Sequence, residues 1–151
     1  MARFTHPATT SEGRSEDGTW IMEGGTMGSG AVQPTFDGDP LFLGHYTLIG
    51  HMCHFSIEVS MSNITDFGEG QFYMTLPFQS HHANLHANGC LHDASTESQY
   101  AMLGHNVAGS DVISLQSIGS NGKHLPFYDG GPVKLAPEDS FHVSGYYEIE
   151  H

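Results

Sequence analysis

A chain of 151 residues and 16.4 kDa is the size of one domain and buries about two-thirds of its unfolded surface on folding. Four basic residues face 17 acidic ones, a formal charge of −13, which excludes both the cationic patch needed to displace phosphate counterions from nucleic acid and docking on an anionic membrane. Only 14% of residues are charged while 19 are glycine; against about 25% charged and about 7% glycine in ordinary domains, this composition argues against a helical bundle.

Residues 1–30 are polar and glycine-rich. Thr9-Thr10-Ser11-Glu12-Gly13 leads to Gly24-Gly25-Thr26-Met27-Gly28-Ser29-Gly30, with Trp20-Ile21-Met22 as the apolar interruption, enough for a short strand or an anchor. Such a stretch has little core of its own and predicts an extended N-terminal arm over 1–35. An arm of this kind serves attachment, so Arg3, Phe4, Arg14 and Trp20 are its expected assembly contacts; Arg3 and Arg14 are two of the four cations and suit an acidic neighbour. The same N-terminus has no hydrophobic leader segment, which predicts synthesis in a cytoplasm, with Cys53 and Cys90 as reduced, packed thiols. No apolar run approaches the roughly 18 residues of a spanning helix, so no membrane insertion is expected.

Residues 36–151 predict a β-sandwich domain. In Cys53-His54-Phe55-Ser56-Ile57-Glu58-Val59-Ser60-Met61-Ser62 the odd positions are apolar and the even ones polar, the period of a strand with one buried and one wet face. Further strands are predicted at His45–Ile49, Gln71–Leu76, Leu85–Leu91, Tyr100–His105, Asp111–Ser117 and Phe141–Ile149, separated by turn signals such as Gly68-Glu69-Gly70, Gly109-Ser110 and Asn121-Gly122. Residues 119–139 form the longest irregular stretch, and no window has a 3.6-residue period. Short strands so spaced make an all-β fold, an antiparallel β-sandwich of jelly-roll type.

Histidine is the first place to look for a metal. The run His81-His82-Ala83-Asn84-Leu85-His86-Ala87-Asn88-Gly89-Cys90-Leu91-His92 is dense in imidazoles, and alternation puts Cys90 and His92 on one strand face. No second matching half accompanies it, so surface imidazoles account for the pattern and no metal ligand is named. Acid pairs Glu138/Asp139 and Glu148/Glu150 are the kind glycosidases use, but 17 acids produce such pairs by chance. Gly-x-Ser-x-Gly is absent, and Gly28-Ser29-Gly30 lacks the Lys-Ser/Thr of a phosphate loop. No catalytic residue and no cofactor is expected. Ligand contact falls instead to exposed loops: Tyr128 and Asp129 in the turn-rich segment after Pro126, and His81 and His82 in loop 78–84.

Three segments carry a family resemblance. Gly44-His45-Tyr46-Thr47-Leu48-Ile49-Gly50 with the alternating strand after it, Gly68-Glu69-Gly70-Gln71-Phe72-Tyr73-Met74-Thr75-Leu76-Pro77-Phe78, and Val143-Ser144-Gly145-Tyr146-Tyr147-Glu148 together resemble phage tail-fibre and minor-tail C-terminal β-sandwich domains. The resemblance implies a non-enzymatic homotrimer on the virion surface, held to other virion proteins by its arm, with host surface carbohydrate as its ligand. Such domains end long fibre proteins, whereas this chain is expected to stand alone with a short arm, which suits equally a capsid decoration protein bridging major capsid protein subunits. Gly44 and Gly50 are expected to bracket a short strand, and Pro77 to end one because it cannot donate to a ladder.

Overall fold

A computed structural model describes residues 15–83, 85–106, 108–119 and 121–150. They form strands β1 (Ser15–Thr19), β2 (Gly24–Val32), β3 (Thr35–Phe36), β4 (Leu41–Ile49), β5 (Met52–Ser60) and β6 (Ile64–Asp66). β7 (Glu69–Thr75), β8 (His86–Asp93), β9 (Ser98–Asn106), β10 (Val112–Ile118), β11 (His124–Pro126) and β12 (Ser140–Glu148) follow, with no helix among the described residues. Ten strands make one sheet in the order β1-β4-β5-β12-β8-β9-β10-β7-β2, with β11 also on β10; β3 and β6 pair apart from it. Every pairing is antiparallel, and the expected all-β antiparallel class is what the chain adopts.

Chain connectivity forces this sheet to curl. β1 and β2 stand at opposite ends of the strand order, yet only residues 20–23 join them. Laid flat, nine strands at about 4.8 Å spacing would separate the outer two by roughly 38 Å, while the five peptide steps from Thr19 to Gly24 reach about 17 Å at most. The sheet therefore bends until its edges approach, and the linker stitches them. Trp20 Nε1 donates to the Thr75 carbonyl of β7 at 3.0 Å, the Glu23 N–H to Thr75 Oγ1 at 2.8 Å, and the Trp20 ring lies against Tyr46 of β4 at 6.4 Å.

The concave side of the curl is the core. β5 buries Cys53, Phe55, Ile57 and Val59 and leaves the residues between them outside; β12 does the same with Phe141, Val143 and Tyr147. Leu91, Met102, Ile113 and Leu115 close it from β8, β9 and β10, each such side chain contributing about 1.5–3 kcal/mol of burial. No disulfide links the two cysteines: Cys53 is buried and Cys90 half-buried.

The arm expectation needs correcting for its described part, while Arg3, Phe4 and Arg14 lie outside the described residues. Residues 15–32 are not an arm but the two outermost strands of the main sheet. Trp20 is 6% exposed and packed in its own chain's core, because edge closure supplies the apolar surroundings that its own segment lacks. Gly44 does not precede a strand but sits inside β4, where a Cβ would lie 2.7 Å from the Trp20 ring. Gly50 does make the turn after β4, with φ +60°, and Pro77 follows the end of β7. Loop 78–84 is only partly outward: Phe78 and Ser80 are buried, and His82 and Ala83 are exposed.

Candidate functional site

In-register pairing lines up the outward side chains of neighbouring strands. One row crosses β4, β5, β12 and β8 as Thr47, His54, Tyr146 and His86. The next runs from β4 to β10 as His45, Ser56, Ser144, Asn88, Leu103 and Gln116. From β4 onward neither row holds a carboxylate, ammonium or guanidinium group, although the whole chain is at −13; the first row reaches a carboxylate only at its far end, where Thr47 Oγ1 donates to Asp17 of β1 at 2.7 Å. Over β12, β8, β9 and β10 they flank a groove of about 650 Å³ that His105 and His124 complete, a size within the roughly 300–1,000 Å³ of small-molecule sites.

Small residues lie beneath that groove, in a row whose neighbours Phe55 and Leu115 belong to the core. Gly145, Ala87 and Gly104 are in register along it. A Cβ on Gly145 would stand 2.0 Å from the His86 carbonyl oxygen, and one on Gly104 2.1 Å from Cδ1 of the buried Ile113, so their smallness serves close packing beneath the sheet. Tyr146, 42% exposed, stacks with His86 on one neighbouring strand (5.2 Å, 27°) and tilts against His54 on the other (5.6 Å, 35°). With imidazoles on both sides, the ring offers its edge and hydroxyl to the groove. The wall is thus a set of hydrogen-bonding tips: two amides, two hydroxyls and imidazoles.

Beyond the groove, His81 and His82 form an exposed bend with their rings 4.2 Å apart. The strand-like pairing of residues 79–81 with the end of β12 sets their position: His81 N–H donates to the Glu148 carbonyl at 2.8 Å, Glu150 N–H to the Gln79 carbonyl at 2.9 Å, and Ser80 bridges Ile149. From inside, the Asn106 amide, 2% exposed, donates to Ser80 Oγ at 2.7 Å and to the His82 carbonyl at 3.1 Å, and accepts from Leu85 N–H at 3.1 Å. The bend so held faces the Glu148 carboxylate, with His82 Nε2 3.5 Å from Glu148 Oε1. One donor atom from each of His81, His82 and Glu148 lies within 4.8 Å of the other two.

Tyr128 and Asp129 belong to a different place and a different task. Tyr128 is 43% exposed and its ring covers Gly131. Asp129 accepts from Leu135 N–H at 2.9 Å and Lys134 Nζ at 2.6 Å, so its carboxylate is spent on holding the 128–135 turn. Neither lines the groove. Cys53 brings no nucleophile: burial pushes its thiol up to about 12, leaving no thiolate at neutral pH. Tyr46 is likewise raised to about 12, by burial first and then by its hydrogen bond with Glu16. The carboxyl of Asp93 is lowered instead, first by the Ser95 hydroxyl and then by Thr96 and backbone N–H groups, against the opposing pull of burial.

Sequence reasoning picked out His81 and His82 but not Glu148 as their neighbour, nor Asn106 as the buried amide behind them. Cys90 and His92 do lie on strand β8 at positions two apart, where Cys90 Sγ meets Gln99 Oε1 at 3.3 Å.

No known family and no curated protein matches the sequence. Among solved structures, the crystal structure of the Dettilon tailspike protein is similar over 90% of this chain, with a TM-score of 0.60 and 16% identity. The chain spans 24% of that protein's length. At this identity the likeness is one of fold: the curled sheet has the architecture of a segment of a phage tailspike.

Proposed function

We propose that this chain is a non-enzymatic surface component of a phage virion, a tail-associated domain that assembles as a homotrimer and binds host-surface glycan in the β12–β8–β9–β10 groove. Residues preceding β1 attach it to other virion proteins. The observation that carries this reading is the groove itself, on a fold shared with part of a tailspike. Sugar hydroxyls alternate between donating and accepting, and Asn88, Gln116, Ser144, His86 and His105 present both capabilities without a fixed charge. No carboxylate lies among the groove's lining residues, which suits binding rather than the paired-acid chemistry of glycoside hydrolysis. In a chain at −13 the preferred ligand is a neutral sugar, because acidic ones meet a repulsive surface.

The test is adsorption. Purified chain, sedimenting at three times its monomer mass, is expected to block phage attachment to host cells and to bind neutral host polysaccharide. Asn88→Ala and Gln116→Ala are expected to weaken that binding at least tenfold without moving the melting temperature. Binding to capsid shells with no effect on adsorption would replace this reading with shell decoration. Release of reducing ends from the polysaccharide would refute its non-enzymatic part.

A further inference from the structure

The groove leaves the His81–His82–Glu148 cluster unused, and we propose that this cluster is a site for a zinc-class divalent metal ion, independent of any glycan binding. Two features of its construction argue for a built site rather than a chance gathering of exposed side chains.

The first is the donor set. Two imidazole nitrogens and one carboxylate oxygen match the ligands zinc and its neighbours take, whereas calcium and magnesium prefer oxygen alone. Ligand atoms around a tetrahedral ion with bonds of about 2.0–2.1 Å stand roughly 3.3 Å apart. The His82 Nε2 to Glu148 Oε1 separation of 3.5 Å is already there, and no pair of the three donor atoms exceeds 4.8 Å. Small χ rotations of two exposed imidazoles bring them in. Three protein ligands leave a position open for water or for an oxygen of another molecule.

The second is the support beneath it. A surface bend needs no buried amide, yet Asn106 spends its whole side chain on this one, with bonds to Ser80 Oγ, the His82 carbonyl and Leu85 N–H. Ser80 is fully buried and tied to Ser110 through both its N–H and its hydroxyl. His81 N–H is bonded to the backbone of Glu148 itself, so the histidine backbone and the carboxylate-bearing strand share one frame. Metal sites depend on this kind of positioning, since a ligand set held before binding loses little conformational entropy on binding. Glu148 also lies two residues after Tyr146 on β12, about 7 Å along the same strand face, which puts the ion at the end of the groove.

Zinc titration into the tag-free, metal-free full chain tests this. The parent carries Cys90→Ser, so that the half-exposed thiol takes up no metal of its own. One zinc ion per chain is expected, with at least tenfold weaker uptake in His82→Ala and in Glu148→Gln and unchanged uptake in His92→Ala, an exposed histidine elsewhere on β8. Zinc should raise the melting temperature of the parent and leave those of His82→Ala and Glu148→Gln unmoved. The His82 side chain is exposed and that of Glu148 half-exposed on the outward face of β12, so the variants fold. No saturable uptake by the parent, or uptake equally strong in His82→Ala and Glu148→Gln, overturns the assignment.

Discussion

Removing a single oxygen, that of Tyr147, tests whether the β12 end of the sheet holds the segment that leads to the histidine bend. Tyr147 is 1% exposed. Its hydroxyl donates to the Phe78 carbonyl at 2.9 Å and accepts from the Phe78 N–H at 3.1 Å, gripping both polar groups of one buried residue. Tyr147→Phe keeps the ring and its edge contact with Phe55 at 5.8 Å, so cavity formation is negligible and the loss is polar. A buried hydrogen-bonding group deprived of its partner costs about 1–3 kcal/mol; with both bonds to Phe78 and the hydrogen bond with the Cys53 thiol gone, the expected destabilisation is at least about 2–4 kcal/mol. For a domain of this size that lowers the melting temperature by on the order of 5–15 °C. Trp20, the one tryptophan, sits where the sheet edges meet and reports unfolding by fluorescence in urea. Tyr146→Phe is the control: one position along, 42% exposed and facing the groove, it should cost less than about 0.5 kcal/mol. Equal effects of the two substitutions, or a Tyr147→Phe cost below about 0.5 kcal/mol, would refute the clamp.

Further outcomes follow from individual positions. Gly89→Ala places a Cβ 1.8 Å from the His142 backbone oxygen of the paired strand, where nothing yields cheaply, so urea unfolding should register a loss of at least about 3 kcal/mol. Gly109→Ala, with φ +75° and open space around it, should cost only about 1–2 kcal/mol. Asp93 binds protons less readily folded than unfolded, so its stabilisation is present above its ordinary value of 3.8 and is lost as pH falls through the lowered folded value; urea midpoints should drop below pH 3.8 and flatten in Asp93→Asn. Cys53 has the opposite sense: folding keeps its proton, so stability is whole below pH 9 and declines as pH climbs from 9 toward 12. A thiol reagent at pH 8 should accordingly modify Cys90 quickly and Cys53 only on unfolding.

The strands from β4 to β12 were readable wherever a wet face alternates with a buried one. Cys53 to Met61 and Phe141 to Tyr147 place their apolar residues inward in the structure as they alternate in sequence. β2 was not readable, because Gly24-Gly25-Thr26-Met27-Gly28-Ser29-Gly30 has neither alternation nor bulk. Its strand character comes from outside: β7 supplies the ladder, and the Gln33 amide bonds both the N–H and the carbonyl of Thr26. Trp20 shows the same limit from the other side. A lone tryptophan in a polar stretch reads as an anchor to another molecule, and only the short link between β1 and β2 reveals that the other surface is the far edge of its own sheet.

The histidine cluster was half legible for a related reason. Adjacent histidines in a turn-rich segment are visible in one dimension, but their carboxylate partner is 66 positions downstream on β12. Alternation predicts only which side of a strand Glu148 takes; which loop meets the end of that strand depends on topology. Here β12 runs between β5 and β8, so the segment entering β8 passes the end of β12. The groove is illegible for the converse reason. Its polar side chains come from β8, β9, β10, β11 and β12 and share nothing in sequence except outward parity. Polar, uncharged outward rows therefore look in sequence like an ordinary wetted face. Gly145, Ala87 and Gly104 line up across three strands only once pairing sets their register, and that row continues into Phe55 and Leu115 of the core. A glycine inside a strand costs up to about 1 kcal/mol relative to alanine. At Gly145 and Gly104 that cost is accepted because a Cβ would meet the His86 backbone and the buried Ile113, a requirement of packing beneath the sheet that carries no information about the groove above it.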